Sequence, residues 1–426
     1  MASAKKEKPQ EPFRQLNLNA GELLAALSYA TDITPSGCHF HSWRVALVAE
    51  RIAQVMLNDN RRDVFLAGLL HDTGAVGAYR HITYYRTIRQ QLEDIQVRAH
   101  AQRGAAIVEW LPGMHAVAEC IANHHEWYNG GGYPEGKAGN QIPTASQILL
   151  IADVLDIVGC FRSVASLRST LPGMADLTGS AWGKEIWQAF VQTLEDGDFY
   201  STLTDSDALA PLIKQKLEEL GVPETLAGEE GAERALHLFA ALVDLKDPST
   251  SGHSLRTARR AEILASHMKL SDAEAHLAYR AGLVHDCGRL GIEGSLLNRA
   301  GRLTVKEMDV VRKHAEMTIR VFECLPDCPD MREFGYIAGH DHERWDGKGY
   351  PDRLAGEDIP LIARIISVVD AYDSMVAPNE YRLLTTKGAL VRLEQNAGSQ
   401  FDPTIVKAMI EVTRSGHLDE AMRSAA

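Results

Sequence analysis

Apolar residues recur every three to four positions along most of this chain, which is the spacing of one face of an α-helix. Residues 17–32, NLNAGELLAALSYATD, place their leucines on one such face, and Asn19 with Glu22 forms a capping-box pattern at the start. Residues 228–247, GEEGAERALHLFAALVDLKD, show the same periodicity. The chain therefore predicts two similar amphipathic helices, one in each half.

Matching segments follow each of these predicted helices. HSWRVALVAERIAQVM at 41–56 aligns without a gap with HSLRTARRAEILASHM at 253–268, and FLAGLLHDTGAVG at 65–77 aligns with YRAGLVHDCGRLG at 279–291. All four segments have helical periodicity, and no alternating pattern typical of strands continues for more than a few residues. The sequence predicts an all-α fold built from two tandem domains.

The predicted organisation has three parts. Residues 1–17 are rich in Lys, Glu and Pro and predict a disordered tail. The first domain covers 18–223, including connecting helices in its last third, and the second covers 224–426. The boundary is drawn at the turn-rich sequence GVP, 221–223.

Composition and charge narrow the function. The 426 residues are 45% hydrophobic and 24% charged, which is typical of a globular protein. A net charge of −13 without a basic run argues against a polynucleotide partner, so a small anionic substrate would need local positive charge such as metal ions. No apolar run approaches the roughly 20 residues of a membrane span, and the charged N-terminus resembles neither a signal peptide nor an anchor. We expect a cytoplasmic protein with reduced cysteines.

The two halves also repeat one order of histidines and aspartates. The same step of 214 positions separates His71 from His285 and His100 from His314, and later members of the pattern keep a step of 217. Imidazole and carboxylate groups are ligands of divalent transition metals. So many of them in one repeated order suit a pair of metals in each half better than a single structural ion.

Longer blocks accompany these residues. The second half contains HERWDGKGYP at 342–351 and IPLIARIISVVDAYDSM at 359–375, and the first half contains the looser HHEWYNGGGYP at 124–134 and IPTASQILLIADVLDIV at 142–158. Together with the His-Asp pairs, these blocks resemble the HD-GYP family, the bacterial cyclic dinucleotide phosphodiesterases among the HD metal-dependent phosphohydrolases. The likeness covers nearly all of both halves and implies two tandem helical HD-GYP domains.

The resemblance implies the metal ligands. In the first half, one metal would take His41, His71, Asp72 and Asp153, and the other would take Asp72, His100, His124 and His125. In the second half, the two metals would take His253, His285, Asp286 and Asp370, and His314, Asp341 and His342. His39 is a rival for His41, although the ungapped HSxR alignment favours His41. The expected cofactor is a divalent metal pair, iron or manganese, in the first domain and also in the second.

Asp341 departs from the family pattern, which has histidine at this position. An extra carboxylate makes a metal centre less positive, and a less positive centre attracts a phosphodiester less strongly. Oxygen ligands also favour harder ions such as manganese or magnesium over iron. We therefore expect metal binding in the second half to be weaker, or different in kind.

The substrate side departs in the opposite sense. The resemblance implies a lysine three residues after the aspartate of each His-Asp pair, where this chain has Ala75 in the first half and Arg289 in the second. Arg289 keeps the positive charge, although a guanidinium cannot act as a general acid. Of the family's later RPYR element, the second half keeps Arg382 and the first half keeps Arg162.

These differences predict that the second half is the hydrolase and the first a metal-bound regulatory or structural partner. The catalytic residues of the second half would be Asp286 and Arg289, with Asp72 as the counterpart of Asp286 in the first half. Tyr350 would contact substrate in the second half, and Tyr133 holds the matching place in the first. The expected substrate is cyclic di-GMP or a cyclic GMP-AMP, hydrolysed to a linear dinucleotide or to mononucleotides.

Other interpretations remain open. Degenerate halves could act as a cyclic dinucleotide sensor or a protein-interaction module, which the missing lysines favour and the complete ligand set of the first half opposes. The clusters could also be structural metal sites in an inactive protein. A general HD phosphohydrolase of nucleotides or phosphomonoesters is disfavoured by the Gly-Tyr-Pro blocks. Further expectations are a signalling protein bound at the Gly-Tyr-Pro loops and a homodimer.

Overall fold

Helices make up nearly all of the regular structure, so the all-α prediction is confirmed. The computed structural model describes residues 14–57, 60–77, 95–159, 161, 163–299, 301–377, 384–418 and 422. The described helices of the first half are α1 Ala20–Asp32, α2 His41–Met56, α3 Arg61–Leu70, α4 Ile95–Arg98, α5 His100–Glu109, α6 His115–Ala122, α7 Thr144–Ile157, α8 Val164–Ala175, α9 Lys184–Thr193, α10 Gly197–Thr202 and α11 Ser206–Leu220. Those of the second half are α12 Gly228–Lys246, α13 His253–His267, α14 Asp272–Val284, α15 Gly294–Leu297, α16 Val305–Phe322, α17 Pro329–Ala338, α18 Leu361–Val376, α19 Thr386–Gln395 and α20 Pro403–Arg414.

The predicted N-cap of α1 is present, but only half of the capping box forms. The Asn19 side chain accepts hydrogen bonds from the backbone N–H groups of Gly21 and Glu22, at 2.8 and 3.3 Å. The Glu22 carboxylate accepts instead from the Cys328 thiol in the second half, at 3.2 Å. The start of α1 is therefore tied to the other half of the chain.

Helix α1 is buried on all sides, although its amphipathic sequence predicts that one side faces solvent. Every residue from Ala20 to Asp32 except Glu22 is buried, because α1 lies between the two halves and packs on α2 and α3 on one side and on α12 and α16 on the other. Leu23 and Leu27 are fully buried. The hydrophobic core is consequently continuous through both halves rather than split into two separate cores.

The folded chain includes residues before 18, where the sequence predicts the first domain to start. Leu16 is buried and joins the core, and Asn17 donates its backbone N–H to Asp330 Oδ2 at 2.9 Å. Leu16 and Asn17, the last part of the predicted tail 1–17, therefore pack against the folded chain.

One small hairpin departs from the helical prediction. Strands β1, Ile33–Thr34, and β2, Gly37–Cys38, pair antiparallel directly after α1. The second half holds this hairpin in place, because Lys313 Nζ donates to Pro35 O at 3.1 Å. No described helix is both long enough and apolar enough to cross a membrane.

Candidate metal centres

Both His-Asp pairs lie where a helix ends. The pair His71-Asp72 follows the last residue of α3, and the pair His285-Asp286 follows the last residue of α14. His71 and His285 still have helical backbone angles, while each aspartate begins a 3₁₀ turn. The change of direction lets adjacent residues face one centre.

Glycines bring these helices close to the helices that begin with the first predicted ligand. A Cβ atom on Gly68 would lie 2.4 Å from the Cα of Ala46 in α2, and one on Gly282 would lie 2.7 Å from the Cα of Ala258 in α13. Neither distance is compatible with a side chain. The same glycine in both halves thus allows α2 to touch α3, and α13 to touch α14.

A second glycine in each half brings the 3₁₀ turn onto the helix that carries the next ligand. A Cβ on Gly74 would lie 2.0 Å from the carbonyl oxygen of His100, and one on Gly288 would lie 2.0 Å from that of His314. The HDxG order, present in both halves, therefore has a steric reason.

The first group of predicted ligands in the first half converges. His41 Nε2 lies 3.2 Å from His71 Nε2 and 3.3 Å from Asp153 Oδ1. Asp72 Oδ2 lies 3.4 Å from the Nε2 atoms of both histidines. His39, the rival of His41, is exposed and does not belong to this group.

The second group of the first half lies on the other side of the same aspartate. His100 Nε2 is 3.2 Å from His124 Nε2 and 3.1 Å from His125 Nε2. Asp72 Oδ1 lies 3.5 Å from His100 Nε2. The two oxygens of Asp72 therefore face different histidine groups, which is the position of a bridging carboxylate.

The second half repeats the first group with small differences. His253 Nε2 lies 3.0 Å from Asp370 Oδ1, and His285 Nε2 lies 3.4 Å from Asp286 Oδ2. The atoms of His253, His285 and Asp370 are close enough together to hold one ion.

The second group of this half contains two histidines, where the first half has three. His314 Nε2 lies 3.0 Å from His342 Nε2 and 3.4 Å from Asp286 Oδ1. Asp286 thus faces both groups, as Asp72 does in the first half.

Asp341 points into this centre, and its neighbour His340 does not. Asp341 Oδ2 lies 3.7 Å from His342 Nε2, and Asp341 forms a further possible ligand group with His342 and Asp370. His340 Nε2 lies 3.1 Å from Asp352 Oδ2, so His340 does not replace the missing histidine. Burial raises the pKa of the Asp341 carboxyl to about 8, and the negative charges of nearby aspartates act in the same direction.

Outer contacts fix the orientation of the histidines. His71 Nδ1 lies 2.9 Å from the carbonyl oxygen of Gly68, and His124 Nδ1 lies 2.6 Å from that of Ile121. In the second half, His285 Nδ1 lies 2.9 Å from the carbonyl oxygen of Gly282, and His314 Nδ1 lies 2.6 Å from that of Val311. Since the carbonyl oxygen can only accept, Nδ1 carries the proton and the Nε2 lone pair faces the centre.

Two aspartates with such an outer role are absent from the predicted set. His41 Nδ1 lies 2.6 Å from Asp156 Oδ2, and His253 Nδ1 lies 2.8 Å from Asp373 Oδ2. Burial raises the pKa of Asp156, but the charges and hydrogen bonds of Arg44 and His41 together outweigh burial and lower the pKa to about 2. Both aspartates stand three residues after the predicted ligand aspartate of their half, a regularity in the sequence that could have identified them.

The arrangement fits divalent cations. His285 Nε2 and both carboxylate oxygens of Asp341 are buried without a hydrogen-bond partner among the described residues. Burial lowers the pKa values of His124 and His125 well below the usual range, and the neighbouring imidazoles lower them further, so these rings are neutral. Neutral nitrogens and carboxylate oxygens facing one point are suited to iron, manganese or zinc.

Metal removal should therefore destabilise the fold. We expect exhaustive chelation to lower the Tm, because it leaves convergent lone pairs and carboxylates without a cation in a buried space. Differential scanning calorimetry before chelation, after it and after adding back Mn²⁺ would measure the change. A Tm that chelation leaves unaltered in a protein shown to have lost its metal would contradict the assignment.

Arg289 lies against carboxylates of the second centre. Its Nε lies 2.9 Å from Asp286 Oδ1, and its NH1 lies 3.8 Å from Asp247 Oδ2. Although burial raises the pKa of Asp286, the positive charge of Arg289 contributes to lowering it well below the usual range. Arg289 therefore balances negative charge at the centre. Arg162 and Arg382 lie outside the described residues.

The Gly-Tyr-Pro loops fold back onto the ligand histidines. Tyr133 stacks on His125 with 4.7 Å between ring centroids, and Tyr350 stacks on His342 at 5.0 Å. A Cβ on Gly349 would lie 2.4 Å from a backbone nitrogen, so this close return requires glycine. The loops thus form one wall of each centre.

One arginine in each half was missed by the sequence argument. The guanidinium carbons of Arg98 and Arg312 lie 5.7 Å from the ring centroids of Tyr133 and Tyr350, respectively. The two arginines are separated by the same 214 positions as the His-Asp pairs. This spacing was the available signal.

A cleft of about 690 Å³ opens onto the second centre. His342 and Asp370 form its floor, and Tyr350 forms part of its wall. Four basic residues also line it: Arg312, Arg344, Lys348 and Arg353. At the positions that correspond to the last three, the first half has Trp127, Gly131 and Gly136.

The two centres also differ in exposure. In the first half, His125 is 2% exposed and the side chain of Asp153 is 4% exposed. In the second half, the side chains of His342 and Asp370 are 21% and 18% exposed. A ligand in the cleft can therefore reach the second centre.

Comparison with known proteins agrees with this geometry. The sequence profile described as HD domain matches residues 28–163 and 237–405, which together make up more than half of the chain. The chain belongs to the HD domain family. The two matched segments support the tandem repeat. The relatives named below confirm the resemblance to the HD-GYP phosphodiesterases.

Similar HD domain proteins have been named as cyclic dinucleotide phosphodiesterases. The 3'3'-cGAMP-specific phosphodiesterase 3 of Vibrio cholerae is 31% identical over 74% of this chain and 66% of its own length. The cyclic di-GMP phosphodiesterase response regulator RpfG of Xanthomonas campestris is 34% identical over 43% of this chain and 48% of its own length. A crystal structure of the V. cholerae cyclic GMP-AMP-specific phosphodiesterase V-cGAP3 has a TM-score of 0.65 and 25% identity, covering 96% of this chain and 98% of that chain.

Proposed function

We propose that this chain is a metal-dependent phosphodiesterase that hydrolyses a cyclic dinucleotide, cyclic di-GMP or 3'3'-cGAMP, to a linear dinucleotide or to mononucleotides. The observation that carries the proposal is the basic cleft above the second His-Asp centre, because it joins a place for a dianionic ligand to a place for metal ions. The names of the relatives support the substrate class.

Positive charge in the cleft is suited to the two phosphates of a cyclic dinucleotide. Arg344 and Lys348 are already drawn toward Asp346, at 3.0 and 3.6 Å. Among the described residues, the carboxylate partner of Arg312 is Asp309, at 3.3 Å, and that ion pair is more than half exposed and therefore weak. Arg312 is thus free to exchange this contact for a phosphate, a charge-assisted hydrogen bond of the stronger kind.

The residues predicted to hold metal in the second half are His253, His285, Asp286 and Asp370 for one ion, and Asp286, His314, Asp341 and His342 for the other. When bound, two divalent ions supply Lewis acidity toward phosphoryl oxygens and make water more acidic. The chain's own part is to fix the ligand rings from behind, through Asp373 and backbone carbonyls. Arg289 and Tyr350 then add a fixed positive charge and an aromatic wall beside the reacting phosphate.

The first half has a complete predicted ligand set, but it has Trp127, Gly131 and Gly136 at the positions of three basic residues that line the second cleft. We therefore assign it a structural or regulatory role, with its metals stabilising α2, α3 and α5. The main alternative is that both halves bind a cyclic dinucleotide without hydrolysing it. The engagement of Arg289 with Asp286 favours that alternative.

Turnover separates these two functions. The metal-loaded protein would be incubated with cyclic di-GMP and with 3'3'-cGAMP, and linear products would be separated by chromatography while binding is measured by calorimetry. Product release with either nucleotide supports the phosphodiesterase. Binding of either nucleotide without product supports the sensor, and neither binding nor product contradicts both.

Metal identity in the second half should depend on Asp341. Asp341→His restores a nitrogen ligand in place of a carboxylate oxygen, so we expect the iron content of the purified protein to rise relative to manganese. Elemental analysis after growth in media of equal iron and manganese would measure the ratio. An unchanged ratio would argue that Asp341 does not touch the metal, and His340→Ala serves as the matched control because that side chain faces Asp352.

Iron or manganese as the bound ion, cytoplasmic location, a signalling protein at the Gly-Tyr-Pro loops and a homodimer all remain predictions. So does the division of the chain at residue 223.

A further inference from the structure

A second cleft lies between the two halves, away from the predicted metal ligands. It has a volume of about 590 Å³, within the range of small-molecule sites. Thr34, Pro35 and Ser36 of the first-half hairpin form one side. The remaining lining residues come from the second half, mainly from the segment 291–299 and from α16. No predicted metal ligand lines this cleft.

Lys246, the last residue of α12, lines this cleft although it is only 6% exposed. Its ammonium group makes no hydrogen bond or ion pair with any residue that the structure describes, and Glu293 is the one charged group that influences it. Lysines are almost never buried without a partner, because removing an ammonium ion from water is costly. Burial accordingly lowers the pKa of Lys246 to about 8, still high enough for a large fraction to be charged at neutral pH.

The other charged groups of the cleft leave an excess of positive charge. Arg299 and Glu307 form an ion pair with each other, and Glu307 also caps α16 through Thr304. Lys313 donates to Pro35 O, a neutral acceptor. Glu293 is exposed and therefore well solvated. Two ammonium groups thus face one carboxylate that is not already paired.

Polar and apolar parts of the lining are arranged for an organic anion. The hydroxyls of Thr34 and Ser36 lie on the hairpin side, and Leu296 and Val310 supply apolar surface on the other. An inorganic ion would leave that apolar surface uncovered, whereas a small ring or alkyl group would cover it.

We propose that this inter-half cleft is a ligand site for a small organic anion, whose carboxylate or phosphate group contacts Lys246 and Lys313. The site is separate from the metal centres and does not depend on the proposed phosphodiesterase activity. The cleft adjoins the 3₁₀ turn Cys287–Gly291, which contains Arg289. Asp247, the neighbour of Lys246 in sequence, lies 3.8 Å from the Arg289 guanidinium.

Calorimetric binding to the metal-loaded full chain would test the site. The probes are benzoate and phenyl phosphate, which share an aromatic body and differ in the anionic group, and benzyl alcohol as the neutral analogue. Lys246→Met removes the charge and keeps much of the side-chain volume. Lys306→Met is the matched control, because Lys306 is an exposed lysine at the start of α16 that does not line the cleft.

We expect at least one anionic probe to bind the wild type and Lys306→Met alike, and to bind Lys246→Met about tenfold more weakly or worse, since a charge-assisted hydrogen bond is lost. The probe that binds better identifies the anionic group. Without ligand, Lys246→Met should unfold at the same temperature as the wild type or higher, because an unpaired buried charge is removed; this keeps a binding defect distinct from a folding defect. Equal affinity of Lys246→Met and wild type, equal binding of benzyl alcohol, or no binding of either anion would overturn the proposal.

Discussion

Asp286→Ala should abolish cyclic dinucleotide hydrolysis, and Asp72→Ala should leave most of it. The two aspartates hold the same place in their halves, each with one oxygen toward either histidine group. Without this carboxylate, both predicted metal positions lose the ligand that they share. Since one well-placed electrostatic group is typically worth on the order of 10²- to 10³-fold in rate, we expect a loss of at least that size for Asp286→Ala.

The asymmetry follows from access rather than from ligand number. His342 and Asp370 line the floor of an open cleft, whereas their counterparts in the first half, His125 and Asp153, are buried. A substrate that cannot reach the first centre cannot be hydrolysed there. Asp72→Ala should instead lower the metal content and the Tm.

Linear product formation, metal content and Tm would be measured together for both variants. Asp373→Asn is a useful companion, because it removes a carboxylate that orients His253 without touching the centre itself; we expect a smaller loss, about 10- to 100-fold. If Asp72→Ala abolishes turnover while Asp286→Ala retains it, the roles of the halves are reversed. If both variants turn over at the wild-type rate, neither centre is catalytic.

The helical fold and the convergence of the ligands follow closely from local sequence. The HDxG order implies a tight turn, and the structure explains it by the 2.0 Å that a Cβ on Gly74 or Gly288 would leave to the next ligand helix. The burial of α1 does not follow in this way. Its sequence has a polar side, yet Ser28, Thr31 and Asp32 are buried because they find hydrogen-bond partners within the fold.

Side-chain partners account for most of what the sequence left undetermined in the site. The motif assigns Arg289 to substrate, but four nearby carboxylates attract it toward the centre. Which contact Arg289 makes depends on distances that sequence spacing alone does not give. Asp156 and Asp373 were missed because their repeated spacing marks the positions but does not show which histidine ring each aspartate contacts. Arg98 and Arg312 were missed for the same reason, although their spacing repeats.

Arg312→Met should raise the KM for a cyclic dinucleotide about 10- to 100-fold, with a smaller effect on kcat. Arg312 lines the cleft beside Tyr350. Its carboxylate partner among the described residues is Asp309, and the ion pair between them is exposed and weak. Removing a charge-assisted contact to phosphate costs about 1.5 to 3 kcal/mol, which corresponds to that range of affinity. Methionine keeps the apolar contact with the tyrosine ring, so the loss reports the charge.

Arg98→Met is the matched control, because Arg98 has the same 5.7 Å relation to the tyrosine of the first half but lies beside a buried centre. Steady-state kinetics at several salt concentrations would compare the two variants. A screened phosphate contact predicts that the wild type loses affinity with rising salt faster than Arg312→Met does, while Arg98→Met follows the wild type. A KM that rises in Arg98→Met and not in Arg312→Met would move the substrate site to the first half. The two arginines hold equivalent places beside the tyrosine of their half, and the proposed substrate site depends on the cleft that Arg312 lines.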